Sequence, residues 1–227
     1  MTAPTARFAF YVSGGARRLK RWLALPEARA LAAAGRVGFV LSDNPEDAAL
    51  DAACAEAGVA CERFALPAGD RRAADLALSQ RLLERGEAAR VDWLVVFGGR
   101  VLRGPLLERY AGRIVNFHPA VLPAFKGLRA IDRARAERAF LLGNAAHLLT
   151  ADVDGGPVIL QHVVHQSRGG DADALLDRQV PMLRQLLRWL EQDRLVVADG
   201  YATVRGADYA TGEFIPALDA DLRDAGA

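Results

Sequence analysis

A chain of 227 residues, 52% hydrophobic and 25% charged, has the make-up of an ordinary globular protein and can bury one substantial α/β core. The formal net charge of +1 offers no global field toward nucleic acid or an anionic membrane, and no apolar run approaches the roughly 18 residues of a membrane span. Cys54 and Cys61 are too few for a disulfide framework and wrongly spaced for a zinc knuckle. They are expected to be reduced core thiols of a cytoplasmic protein whose first residues, Met1-Thr2-Ala3-Pro4-Thr5, show no basic-plus-apolar signal.

Along the chain, short apolar runs alternate with amphipathic Ala/Leu/Arg-rich segments, the pattern of βαβ units. Strands are predicted at Phe8–Val12, Val37–Leu41, Ala60–Phe64, Trp93–Phe97 and Ile114–Phe117, with helices at 18–34, 46–57, 71–87 and 105–111 between them. The unbroken apolar run Trp93-Leu94-Val95-Val96-Phe97 implies cover on both faces and a central position. A helix over Ala130–Leu142 follows, then strands Ala145–Thr150 and Pro157–Val164 joined by an Asp/Gly turn, then a leucine-striped helix from Asp173 to Gln192. The expected fold is α/β, doubly wound, with a mainly parallel sheet. Residues 1–198 form one domain in this reading, and 199–227 an extension of edge hairpin and tail.

Chemistry concentrates in Asn116-Phe117-His118-Pro119 and Asp154-Gly155-Gly156-Pro157. Two positions apart on an extended segment, Asn116 and His118 point to one face. An amide beside an imidazole can hold a carbonyl oxygen while the ring exchanges a proton, and Pro119 fixes the direction of the chain. A carboxylate such as Asp154, set near an imidazole, orients it and raises its pKa. The plain alternative is two turns whose polar side chains satisfy local backbone. His147 lies on the strand entering the second turn and reads first as a packed core histidine. His162 and His165 face opposite sides of their strand, so no metal site is expected there. After the first strand, Ser13-Gly14-Gly15-Ala16-Arg17-Arg18 opens a helix and suits an anion. The G-x-G-x-x-G, P-loop and G-x-S-x-G fingerprints are all absent, which disfavours dehydrogenase, NTPase and α/β-hydrolase readings.

Taken together, Asn116 to Gly127 (NFHPAVLPAFKG) and Asp154 to Gln161 (DGGPVILQ) resemble the folate-dependent formyltransferase family, in its glycinamide ribonucleotide branch. The likeness runs through about residues 7–197 in the same element order. Tyr110-Ala111-Gly112-Arg113 is similar too, and His147 stands at the matching distance before Asp154. The resemblance implies a Rossmann-like formyltransferase sheet with Asn116, His118 and Asp154 as the catalytic set and Pro119 and His147 in support. It implies 10-formyltetrahydrofolate as formyl donor, its pterin held largely by backbone near Gly99, Arg100, Val101, Leu102, Leu149 and Asp152. In that scheme Asn116 and a protonated His118 stabilise the oxyanion, and Asp154 assists proton transfer.

The departures from the family pattern fall on the acceptor. Where the family's phosphate loop has Gly, Ser and Asn, this chain has Ala16, Arg17 and Arg18. A Q-E-H segment whose Glu contacts the ribose is missing between Val180 and Pro181, and Arg129 replaces a common histidine. Ser13, Gly14, Gly15, Arg17 and Arg18 are therefore the acceptor-binding candidates. The partner implied is a small-molecule amine: phosphorylated glycinamide ribonucleotide by similarity, or another such as an amino sugar nucleotide. A homodimer is compatible with the resemblance, and nucleic acid and membrane are not expected. A formyltetrahydrofolate hydrolase is the alternative enzyme, although such proteins usually carry a further N-terminal domain. A folate-binding regulator without turnover is the non-enzymatic alternative.

Overall fold

The computed structural model describes residues 6–209, 212, 214–219 and 221. The chain divides into two compact units, Met1–Asn116 and Phe117–Ala227, each taken by itself.

The first unit is a parallel α/β layer. Its strands are β1 (Phe8–Val12), β2 (Val37–Ser42), β3 (Cys61–Arg63), β4 (Trp93–Phe97) and the start of β5 (Ile114–His118), in spatial order β3-β2-β1-β4-β5. Every pairing is parallel, for example Phe10 opposite Val95 and Val96 opposite Asn116. All five residues of β1 are buried, as a strand covered on both faces requires. The connecting helices are α1 (Arg17–Leu23), α2 (Pro26–Ala33), α3 (Ala48–Ala57), α4 (Arg71–Ala88) and α5 (Pro105–Arg109). Asp47 caps α3 by accepting from the Leu50 N–H, and left-handed Gly58 ends it. Asp70 caps α4 through the N–H groups of Arg72 and Ala73. Cys54 is buried and Cys61 half-buried, and both are free thiols.

The single helix expected over 18–34 is two. Pro26 cannot continue the first, and the preceding Leu25 is driven to an extended conformation (φ −78°, ψ 146°) before Pro26 opens the second.

The second unit is built on antiparallel pairing. It holds α6 (Ala130–Ala136), β6 (Leu141–Leu148), β7 (Val158–His165), a 3-10 turn at Gln166–Arg168, α7 (Ala172–Asp177), α8 (Gln179–Glu191), β8 (Leu195–Ala198), β9 (Tyr201–Val204) and β10 (Phe214–Ile215). β6 pairs antiparallel with β7, and β7 with β10. β8 and β9 form a hairpin that begins at Leu195, ahead of the expected extension at 199–227, and it pairs with no further strand among the described residues; the edge position on β7 goes to β10.

Two further expectations are corrected here. The helix foreseen to Leu142 stops at Ala136, because Arg138 turns left-handed (φ 55°), and Leu141 and Leu142 enter β6 opposite His165 and Val164. The late helix is split at Arg178, since Pro181 has no N–H and its ring crowds the carbonyl four residues earlier, at Asp177. The core of this unit includes Ile131, Ala134, Leu142 and Leu175. Behind β6 lies a buried polar chain: Gln179 Nε2 donates to Asn144 Oδ1 at 2.7 Å, and Asn144 Nδ2 donates to the Leu175 carbonyl at 2.8 Å. No helix among the described residues is long and apolar enough to cross a membrane.

Candidate active site

β5 is buried throughout and ends on His118, so this residue is part of the strand and not beyond it. Asn116 lies two positions earlier on β5, 7% exposed, and its side chain therefore shares a face with that of His118. Half-buried Pro119 leaves the strand, and the segment that follows returns to the imidazole. The Phe125 carbonyl stands 2.9 Å from His118 Nε2. On the other side of the ring, Asp154 Oδ2 lies 3.3 Å from Nδ1.

Asp154 is the hub of this arrangement. It is buried at the start of the Gly-Gly turn and takes φ 49°, a left-handed conformation that Asp tolerates better than most residues. One oxygen accepts from the Gly127 N–H at 2.8 Å, and the other lies 3.4 Å from Nε2 of fully buried His147. Burial alone would raise the Asp154 pKa. The His147 hydrogen bond, the Gly127 N–H and the nearby His118 ring outweigh it and hold the carboxyl at about 2.

At Gly156 the turn admits only glycine, because a Cβ there would run into the Leu148 carbonyl; one on Gly155 would meet the side chain of Asp152. Asp152 is exposed and paired with Lys126 Nζ at 3.2 Å. Leu149 is half-buried in the same loop.

His118 departs from expectation. A neighbouring carboxylate was expected to raise its pKa, yet the value is lowered. Burial penalises the cation more than the Phe125 carbonyl and Asp154 favour it. A neutral ring has one N–H and cannot donate to both oxygens. The carbonyl and the ionised carboxylate can both only accept, so the neutral ring satisfies one of them and the imidazolium both.

The other sequence candidates lie in the first unit. Gly99, Arg100, Val101 and Leu102 form the loop after β4, with Gly99 exposed and Leu102 4% exposed. The Gly99 N–H donates to Ser13 Oγ at 3.3 Å, and the Ser13 N–H to the Phe97 carbonyl at 3.2 Å. In the loop after β1, Gly14 and Ala16 both take positive φ (62° and 48°). Ala16 thus adopts a backbone shape that favours glycine. Gly15 and Arg17 are exposed, and the Arg18 guanidinium lies over the Phe97 ring, 5.2 Å from its centroid.

Sequence reasoning passed over Phe125, Lys126 and Gly127 as contributors to the site. Phe125 acts through its carbonyl, which no residue type announces. Gly127 was legible in principle, since its φ of 82° needs glycine.

Comparison with known proteins identifies the family. Residues 6–184 match the family model described as formyl transferase. The phosphoribosylglycinamide formyltransferase of Escherichia coli K12 is 29% identical over 177 residues, 76% of this chain and 82% of that protein. The human trifunctional purine biosynthetic protein adenosine-3 is 37% identical over 79 residues, and the chain spans only 8% of its length. The crystal structure of glycinamide ribonucleotide transformylase 1 from Symbiobacterium toebii superposes with a TM-score of 0.72 at 30% identity, covering 88% of this chain and 94% of that one. The formyltetrahydrofolate deformylase of Haemophilus influenzae is 30% identical over 102 residues, 43% of this chain and 37% of that protein.

Proposed function

Since the chain belongs to the formyltransferase family, we propose that it transfers a formyl group from 10-formyltetrahydrofolate to a small, phosphorylated amine in the cytoplasm, through Asn116, His118 and Asp154. The observation that carries this reading is the hold on Asp154. A carboxylate 3.3 Å from one histidine and 3.4 Å from another, with its pKa at about 2, is kept charged beside the imidazole at every working pH.

The folate supplies an activated formyl carbon; the chain supplies polarity and a proton path. The Asn116 amide N–H donates to the formyl oxygen and favours the charge that develops there. His118 starts neutral and takes the proton released by the attacking amine. The resulting imidazolium donates at Nε2 to Phe125 and at Nδ1 to Asp154, so the cation satisfies both oxygens where the neutral ring satisfies one. The same proton is then available to the departing folate nitrogen. His147, fully buried, positions Asp154.

For the acceptor, Ser13, Gly14, Gly15, Arg17 and Arg18 are the proposed anion-binding loop, with arginine side chains in place of a glycine-rich nest. The formyltransferase domain is taken as residues 1–198, with 199–227 as an extension.

The test follows loss of the formyl group from a 10-formyl folate analogue by absorbance, with and without glycinamide ribonucleotide. Acceptor-dependent release is expected. Release that ignores the acceptor would make the protein a hydrolase, in line with its likeness to the Haemophilus deformylase. Binding without release would leave a folate-binding regulator.

A further inference from the structure

Three consecutive residues, Phe125-Lys126-Gly127, hold both members of the His118–Asp154 pair through main chain. The Phe125 carbonyl stands 2.9 Å from His118 Nε2. The Gly127 N–H donates at 2.8 Å to Asp154 Oδ2, the same oxygen that lies 3.3 Å from His118 Nδ1. A shift of this short segment therefore changes the surroundings of the imidazole on both sides at once.

The segment does not hold its shape unaided. Phe125 takes φ 55°, a left-handed conformation that a bulky side chain disfavours, and Gly127 follows at φ 82°. Such conformations persist where the surrounding structure imposes them. The Phe125 side chain packs against the cluster of Ile131, Ala134, Leu142 and Leu175, the first two of which lie on α6. Lys126 Nζ reaches Asp152 at 3.2 Å, but with side chains 40% and 71% exposed that pair contributes little. The remaining contact is also from α6: the Arg133 guanidinium donates to the Lys126 carbonyl. It takes hold of the chain at the residue between the two that touch the pair.

Arg133 is unusual in its own surroundings. Its Nε is buried and has no partner among the described residues, and no carboxylate there comes within ion-pair reach of the guanidinium. A cation turned inward with a carbonyl as its partner is less favourable than an apolar side chain in the same place. Its charge is not neutralised locally, and it acts on His118 in the same direction as burial, against the imidazolium. The other charged or titratable groups acting on that ring are Asp154, which favours the cation, and His147 on β6, which opposes it.

We propose that Arg133 is a positioning residue for the reaction: by holding the Lys126 carbonyl it keeps the Phe125 carbonyl on His118 and the Gly127 N–H on Asp154. The assignment rests on the formyl-transfer reading and adds to it a residue that works through the main chain of its neighbours.

Two substitutions in the full chain test it. Arg133→Met keeps an aliphatic stem and removes the donor, and Arg133→Lys keeps a cationic donor. Amide hydrogen exchange at Gly127, followed by NMR without ligand, reads the held segment directly. Arg133→Met should speed that exchange roughly 10-fold, the scale of one hydrogen bond to a charged group. Exchange along β6 and β7 should stay as it is, which also reports that the variant is folded. Arg133→Lys should restore most of the protection. With a 10-formyl folate analogue and acceptor, kcat of Arg133→Met should fall about 10-fold while KM moves by less than about 2-fold, and Arg133→Lys should recover most of the rate. The His118 ring, titrated by NMR, separates position from charge. Loss of the Phe125 carbonyl contact lowers its pKa further in Arg133→Met, whereas loss of a distant positive charge alone would raise it. Unchanged Gly127 exchange, a raised His118 pKa, or a lysine variant as impaired as the methionine one would overturn the proposal. If the wild-type protein turns over and Arg133→Met matches it, this assignment fails and formyl transfer stands. If the wild-type protein releases no formyl group while Arg133→Met still loses Gly127 protection, formyl transfer fails and the hold of Arg133 on the segment stands.

Discussion

The carbonyl oxygen of Phe125 stands 2.9 Å from Nε2 of His118, and Asp154 Oδ2 stands 3.3 Å from Nδ1, so the ring lies between two acceptors. Burial nevertheless lowers its pKa and favours the neutral form. His118 is therefore a base before it is an acid. Its lowered pKa places the acid limb of the rate profile below the ordinary histidine value of about 6.5. Rates measured from pH 5 to 8 should be flat at neutral pH and fall only under acid. A rate that instead falls as pH rises through about 6.5 would mean that the protonated ring starts the reaction. His118→Ala should lower kcat by roughly 10²–10⁴-fold, the range for a lost general acid–base group, while a folate analogue still binds.

Acidification should also unfold the protein through the same pair. Asp154 titrates at about 2 in the folded chain against about 3.9 unfolded, so the unfolded state binds the extra proton between those values. Its contribution is present above pH ~4 and lost as pH falls toward 2. The His118 pKa is lowered as well, so the unfolded chain again takes up the proton first, and stability declines as pH drops below ~6.5. Urea melts across pH 2–8 should show both declines on the acid side. The lower one should disappear in Asp154→Asn, and its persistence there would show that other carboxylates cause it.

His147 is assigned to positioning, and its removal should be visible in a titration as well as in a rate. Its hydrogen bond helps hold the Asp154 pKa down, so His147→Phe should raise that pKa and move the low-pH loss of stability in urea melts to higher pH. A variant with lowered kcat and an unmoved pH profile of stability would reduce His147 to packing.

Much of this fold can be read from the chain because its strands are apolar without interruption. Phe8–Val12 and Trp93–Phe97 lie where their composition puts them, since a strand buried on both faces tolerates little else. Helix ends were harder to read. Pro26 marks the break in the first helix plainly, whereas Arg138 ends α6 in a left-handed turn without a glycine to signal it. Within the site, Asn116, His118 and Asp154 were legible as side chains beside glycine or proline. The Phe125 carbonyl was not, because every residue has one. The direction of the His118 shift was also hidden, since it depends on a balance of burial against two oxygens that only coordinates supply.

The Asp154 turn depends on bare backbone as much as on the carboxylate. A methyl group at Gly156 would overlap the Leu148 carbonyl oxygen, the last residue of β6, and the strand cannot withdraw without loosening its pairing with β7. Gly156→Ala should cost roughly 1–3 kcal/mol, the usual penalty for overpacking a closed site, and should also lower kcat by displacing Asp154. At Gly155 the obstacle is the side chain of Asp152, which is exposed and can swing away. Gly155→Ala should therefore cost less, and Gly155→Ala combined with Asp152→Ala less again. Denaturant melts of the three variants measure this directly. Equal losses at Gly155 and Gly156 would mean that the Asp152 side chain is as immovable as the strand carbonyl.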